Sequence, residues 1–79
     1  MKSITLHIHG RVQGVFFRPG TLNAARSLNI RGTVINRSDR TVFVEAEGDE
    51  AAVEMFVEWC RKGPPGALVS RIDIHEAPL

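Results

Sequence analysis

Ile4-Thr5-Leu6-His7-Ile8-His9-Gly10-Arg11-Val12-Gln13-Gly14-Val15-Phe16-Phe17-Arg18-Pro19 changes its hydrophobic period in the middle, and that change decides the fold. Over residues 3–9, Ile4, Leu6 and Ile8 alternate with Thr5, His7 and His9, the pattern of a half-buried strand. Residues 19–29 read as a helix. Pro19 suits the first helical position, and Leu22, Ala25 and Leu28 form a narrow apolar stripe. Between strand and helix lies a short loop with two glycines. On the residues alone that loop has two readings. In one, Gly10 and Gly14 make a tight turn and Arg18 is a solvated arginine at a helix start. In the other the loop is an anion cradle. Glycines let successive N–H groups turn toward one point, the helix N-terminus adds partial positive charge, and Arg18 brings a planar fork of donors.

The rest of the chain extends the alternation. Gly32 ends the connection after the first helix and residues 33–36 begin a second strand. Arg37-Ser38-Asp39-Arg40 is a turn, and residues 41–47 form a third strand with Val42, Val44 and Ala46 on one face. Gly48 separates that strand from a second helix, for which Asp49 is the candidate N-cap. Val53, Phe56, Val57 and Cys60 fall at i, i+3, i+4 and i+7, the stripe of a packed amphipathic helix. Gly63-Pro64-Pro65-Gly66 breaks it, and residues 68–75 give a fourth strand. The order βαββαβ with right-handed crossovers predicts an α+β, ferredoxin-like sandwich: one antiparallel sheet with two helices on one face. The expectation is a single domain over residues 1–79.

Composition excludes several classes. The 79 residues carry ten basic and nine acidic side chains, a net charge of +1. No basic stripe points to nucleic acid. No apolar run approaches the ~20 residues of a membrane span, and the N-terminus lacks a signal-peptide core. Cys60 is the only cysteine, so an intrachain disulfide is excluded. These features predict a cytoplasmic protein.

Other chemistry-bearing residues have plain structural readings. His7 and His9, two apart on one strand face, are a possible metal pair. With no third ligand in view and His75 far along the chain, a solvated open sheet face without metal is expected. Cys60 reads as a small core residue and not a nucleophile. Phe56 and Trp59 read as core or partly buried, and Glu50, Glu54 and Glu58 as a solvated helix face. Asn36, at a strand end before a turn, is on its own a turn former.

Gly10-Arg11-Val12-Gln13-Gly14-Val15-Phe16-Phe17-Arg18 resembles the signature of the acylphosphatases, small enzymes that hydrolyse carboxyl phosphates. Gly32-Thr33-Val34-Ile35-Asn36 resembles that family's second element. The similarity continues through residues 42–48, 58–67 and 69–74. The resemblance implies a specific division of labour. Arg18 binds the phosphate, and Arg11, Val12, Gln13, Gly14, Val15 and Phe16 offer backbone contacts to the same oxygens. Asn36 positions the attacking water. It implies a small-molecule acyl phosphate as substrate and neither metal nor organic cofactor. The rival expectation is a non-catalytic anion-binding or assembly domain of the same fold. An RNA-binding relative is disfavoured, because only Phe43 is an aromatic candidate on the open face.

The chain departs from that family's pattern at three places. A fifth strand, usual beside the second, has no counterpart before Leu79. The strand carrying Asn36 is therefore expected to be an open edge, giving reduced stability or an edge-mediated dimer in place of a monomer. The turn after Asn36 reads Asp39-Arg40 where Asp-Gly is usual, and arginine disfavours positive φ by ~1 kcal/mol or more. Phe17-Arg18-Pro19, and the run from Ser70 to Leu79, are similar to the acylphosphatase-like domain at the front of the hydrogenase-maturation carbamoyltransferases.

Overall fold

Residues 1–77 are described by the computed structural model. They run β1 (Lys2–Arg11), α1 (Phe17–Ser27), β2 (Arg31–Asn36), β3 (Val42–Gly48), α2 (Glu50–Lys62) and β4 (Leu68–Ala77). The expected βαββαβ order is present. Pro78 and Leu79, the last two residues of the run that resembles the carbamoyltransferase module, lie outside the described residues.

The alternation in β1 puts Ile4, Leu6 and Ile8 into the interior, each at most 2% exposed. β1 is central. It pairs antiparallel with β3, Leu6 opposite Val44, and antiparallel with β4, Leu6 opposite Ile74. β2 joins the far side of β3, also antiparallel, with Val34 opposite Val44. Among the described residues the sheet has four strands in the order β2-β3-β1-β4, so β2 is an edge. Val34, Val42, Val44 and Ala46 face the same interior as Phe17 of α1 and Val53, Phe56 and Cys60 of α2. Both helices therefore cover one face, and His7, His9 and Phe43 lie on the other.

Two local expectations shift. α1 begins at Phe17, two residues early, so Pro19 is the third helical residue instead of the first. It is tolerated because the first four helical N–H groups have no intrahelical acceptor. Phe17 and Thr21 are the buried residues of α1, Ala25 and Leu28 of the expected stripe pack partly buried against the core, and Leu22 is 40% exposed. The Thr21 hydroxyl is satisfied locally, donating to the Phe17 carbonyl at 2.8 Å. Asp49 occupies the N-cap of α2, but its carboxylate makes no capping bond. Trp59 is half-buried, edge-on to Phe17 with ring centroids 5.8 Å apart.

The exit from β1 is where sequence and backbone lock. The β1–β4 register slips between His9 and Gly10. Gly10 has φ 126°, and a β-carbon there would overlap the Leu68 carbonyl oxygen and lie 2.8 Å from the Ser70 nitrogen. Only glycine lets β4 approach while β1 bends away into the loop. Gly10→Ala is expected to destabilise the fold by roughly 2–3 kcal/mol, from strain and displacement of β4 together. Urea unfolding checks this through the midpoint. A domain of this size has little margin to absorb such a loss.

Candidate active site

Residues 12–16 bridge β1 and α1. Val12 is 1% exposed and anchors the loop in the core, and Val15 packs against the core from outside. Gly14 and Phe16 have φ 75° and 59°, so left-handed residues recur through the loop. Such turns aim N–H groups to one side and build anion-binding concavities. Phe16 is the N-cap of α1, is 80% exposed and offers no side-chain cap. A bulky residue in the left-handed region costs on the order of 1 kcal/mol, and strain of this kind gathers at functional sites. The first turn of α1 holds no acidic residue, so no side-chain charge there offsets the helix dipole.

Arg11, Val12, Gln13 and Gly14 line one cavity of about 480 Å³ together with Gly10 and Arg40. Arg18 is the second residue of α1 and exposed. Its Nε reaches across to the Val34 carbonyl of β2 at 3.4 Å. Asn36, the last residue of β2, is exposed and lies two residues beyond Val34. Alternation along the strand puts Val34 and Asn36 on one face, roughly 7 Å apart. Arg18 and Asn36 thus belong to one corner of the molecule, where α1 leaves the cradle loop and β2 ends. Phe16 and Val15 do not line the cavity with the other four. A second concavity of about 320 Å³ between α1 and β2 is lined by groups such as Leu22, Ala25, Ile30 and Phe56. It holds none of the predicted site residues.

The link between loop and hairpin is a side chain whose role is not evident from its position. Gln13 Nε2 donates to the Arg37 carbonyl at 2.9 Å and to the Thr41 carbonyl at 2.8 Å. One amide thereby ties the cradle to the turn that follows Asn36. That turn holds itself together in three ways. The Arg37 N–H donates to the Thr41 carbonyl, the Arg40 N–H donates to the Arg37 carbonyl, and the Arg37 guanidinium sits 4.4 Å over the Phe43 ring. Arg40 does take the left-handed conformation, φ 72°, and is one of the residues that line the loop cavity.

Asp39 replaces some of what glycine would give the turn. Its Oδ1 accepts from both the hydroxyl and the N–H of Thr41. These bonds, the hydroxyl first, hold its carboxyl below the ordinary 3.8, with smaller help from His7 and Arg37 against slight desolvation. A lowered folded-state pKa stabilises the fold above the unfolded value and loses that contribution as pH falls through the folded one. Asp39→Asn is therefore expected to be less stable than wild type near neutrality, with the difference shrinking below about pH 3.8. Urea midpoints of the two proteins at about pH 6 and pH 3 check it.

The Thr41 hydroxyl has one proton, and the Asp39 carboxylate can only accept it. His7 Nε2, 2.7 Å from the same oxygen, must then be the donor, which fixes the His7 tautomer. The open sheet face is partly buried and hydrogen-bonded at His7 and His9. Strand pairing sets Asp73 opposite His7, and His9 Nε2 lies 3.1 Å from Asp73 Oδ2. Cys60 is fully buried and desolvation pushes its thiol up to about 12, so it stays protonated as a core residue.

Comparison with known proteins places this geometry among relatives. The acylphosphatase family profile matches residues 4–79. An acylphosphatase of Acidovorax sp. strain JS42 is 47% identical over 78 residues, spanning 96% of this chain and 80% of the relative. An acylphosphatase of Thermotoga maritima is 43% identical over 76 residues, 96% of this chain and 84% of the relative. Among solved structures, the Bacillus subtilis acylphosphatase superposes with a TM-score of 0.95 at 38% identity, covering 98% of this chain and 86% of that one. HypF of T. kodakarensis superposes with a TM-score of 0.86 at 40% identity. The match covers all of this chain but only 10% of HypF.

Proposed function

This chain belongs to the acylphosphatase family and is an enzyme of acyl phosphate hydrolysis, and we propose that it works through Arg18, the 11–16 loop and Asn36. An acyl phosphate is a mixed anhydride whose leaving group, a carboxylate, is already stable as an anion. The barrier therefore lies in gathering charge on the phosphoryl oxygens and holding a water in line, not in protonating the leaving group. The loop N–H groups and the α1 N-terminus supply fixed positive potential, and the Arg18 guanidinium supplies a charged fork. The Asn36 amide can accept from the water and donate to a phosphoryl oxygen, yet is too weak a base to ionise it. Water oxygen attacks phosphorus, the bond to the acyl oxygen breaks with its electron pair, and a phosphoryl oxygen of the substrate takes the proton.

The observation that carries this reading is the contact of Arg18 Nε with the Val34 carbonyl. It brings the proposed phosphate ligand of one element to the strand end that bears Asn36. The Gln13 bridge adds a reason for the two to stay in register. The substrate is read as a small acyl phosphate, in keeping with so open a cavity. A cytoplasmic enzyme is part of the same reading, a compartment in which a lone thiol such as Cys60 stays reduced.

The test is hydrolysis of a simple acyl phosphate by the purified protein with EDTA present and inorganic phosphate as competitor. Turnover that survives EDTA and is competitively inhibited by phosphate is the expected result. Phosphate binding without turnover would reduce the protein to an anion-binding domain. Turnover abolished by EDTA and restored by metal would overturn the metal-free mechanism.

A further inference from the structure

The open face of the sheet, away from the helices, carries a constellation that the proposed chemistry does not use. His7 and His9 of β1 point to the same side, with ring centroids 4.4 Å apart. Asp73 of β4 is the register partner of His7. One ligand atom from each of the three lies within 4.8 Å of the others, and all three residues are partly buried. A tetrahedral site with bonds of ~2.0–2.1 Å needs donors roughly 3.4 Å apart. The three are thus within about 1.5 Å of closing, a shift available by side-chain rotation on a half-exposed face.

We infer that His7, His9 and Asp73 form a site for a borderline divalent transition metal such as Zn²⁺, with the fourth position open to water. The donor set argues for that class: two imidazoles and one carboxylate suit zinc, cobalt or nickel, and are too nitrogen-rich for calcium or magnesium. The scaffold argues for it too. Two histidines at i and i+2 on a central strand, with a carboxylate across the ladder, are held by backbone pairing on both sides and not by a loop. His9 Nε2 already stands 3.1 Å from Asp73 Oδ2, close to the separation of two donors on one tetrahedral ion. His7 has its proton on Nε2 against Thr41, leaving a lone pair at Nδ1.

Arg71 is the competitor. Its Nε lies 3.3 Å from Asp73 Oδ1, and its Nη2 lies 3.4 Å from Oδ2 and 3.3 Å from His9 Nε2. A guanidinium at that place neutralises the carboxylate and repels a cation. Its side chain is 65% exposed, so it can leave for solvent when the ion arrives. Removing it should therefore tighten binding, an effect that adventitious surface coordination would not show.

The experiment is titration of untagged protein with Co²⁺, read by visible absorption, and with Zn²⁺, read by calorimetry. The expected result is one ion per chain with the intense visible bands of a four-coordinate cobalt site. Affinity should fall at least about tenfold in His9→Asn and in Asp73→Asn, rise several-fold in Arg71→Ala, and be unchanged in His75→Gln. Acyl phosphate hydrolysis at the wild-type rate in His9→Asn and Asp73→Asn shows those variants folded. Absence of binding, or binding that is insensitive to His9 and Asp73 but lost in His75→Gln, would overturn the site.

Discussion

Arg18→Ala is expected to lower kcat/KM for an acyl phosphate by about 10³–10⁴-fold while leaving the fold nearly as stable as before. The magnitude follows from what the guanidinium does. In the proposed mechanism it is a charged fork on the transferring phosphoryl group, in a reaction whose barrier is mostly charge placement, and arginines in that role contribute about 10³–10⁵. Stability should hardly move because the side chain is exposed and makes a single long bond, 3.4 Å to the Val34 carbonyl. Surface changes of this kind stay within about 0.5 kcal/mol. Arg18→Lys restores the charge but not the planar pair of donors, so it should recover only part of the loss. Steady-state kinetics with phosphate inhibition separates the components, since the phosphate inhibition constant should weaken in step with KM. Wild-type turnover in Arg18→Ala would remove this residue from the site.

Asn36→Ala is expected to cut kcat by about 10²-fold with little change in KM. Loss of one preorganised amide acting on the reacting atoms typically costs that much. A water held only in the transition-state geometry contributes to kcat and not to ground-state binding. Asn36→Asp is the sharper variant. It keeps the size and the acceptor, loses the donor, and places a negative charge beside phosphoryl oxygens, so it should be slower than the alanine variant and bind phosphate less well. Asn36 ends an edge strand and is exposed, its backbone pairs with Val42 whatever the side chain, and among the described residues its amide makes no hydrogen bond, so neither change should disturb folding. A KM effect larger than the kcat effect would make Asn36 a binding residue and not a positioner of water.

Much of this was legible because period and chemistry coincide in one short run. Alternation through Ile4, Leu6 and Ile8 predicts the central strand, and the switch at Gly10 predicts both the bend and the helix beyond it. The stripe of Val53, Phe56 and Cys60 is equally direct, since helical spacing alone puts those side chains in the core. What stayed hidden depends on neighbours brought by the sheet. Gln13 is one of several loop residues in the sequence, and its bridge to Arg37 and Thr41 exists only once the hairpin has folded beside the loop. Asp73 joins His7 and His9 only through the β1–β4 register, across 66 residues of chain between His7 and its partner. One position of the α1 face, Leu22, was misplaced for a smaller reason. Ala25 and Leu28 of the expected stripe do pack on the core, but an onset at Phe17 brings that large ring inside, and its neighbour one turn on, Thr21, is buried where Leu22 was expected. Arg40 shows the limit of residue preference: a left-handed turn position favours glycine, yet the Asp39–Thr41 bonds hold it there with arginine.

The central placement of β1 has a consequence for how the molecule comes into being. The first strand made is completed last, because one of its edges waits for β3 and the other for β4, with Ser3 finally meeting Ala77. Such distant pairings carry a high entropic toll before they return any contact energy, and chains dominated by them fold in milliseconds to seconds, not microseconds. The bulge at Gly10 belongs to the β1–β4 ladder, so the cradle acquires its shape in the closing step. Recovery of activity during refolding therefore times the docking of the last strand.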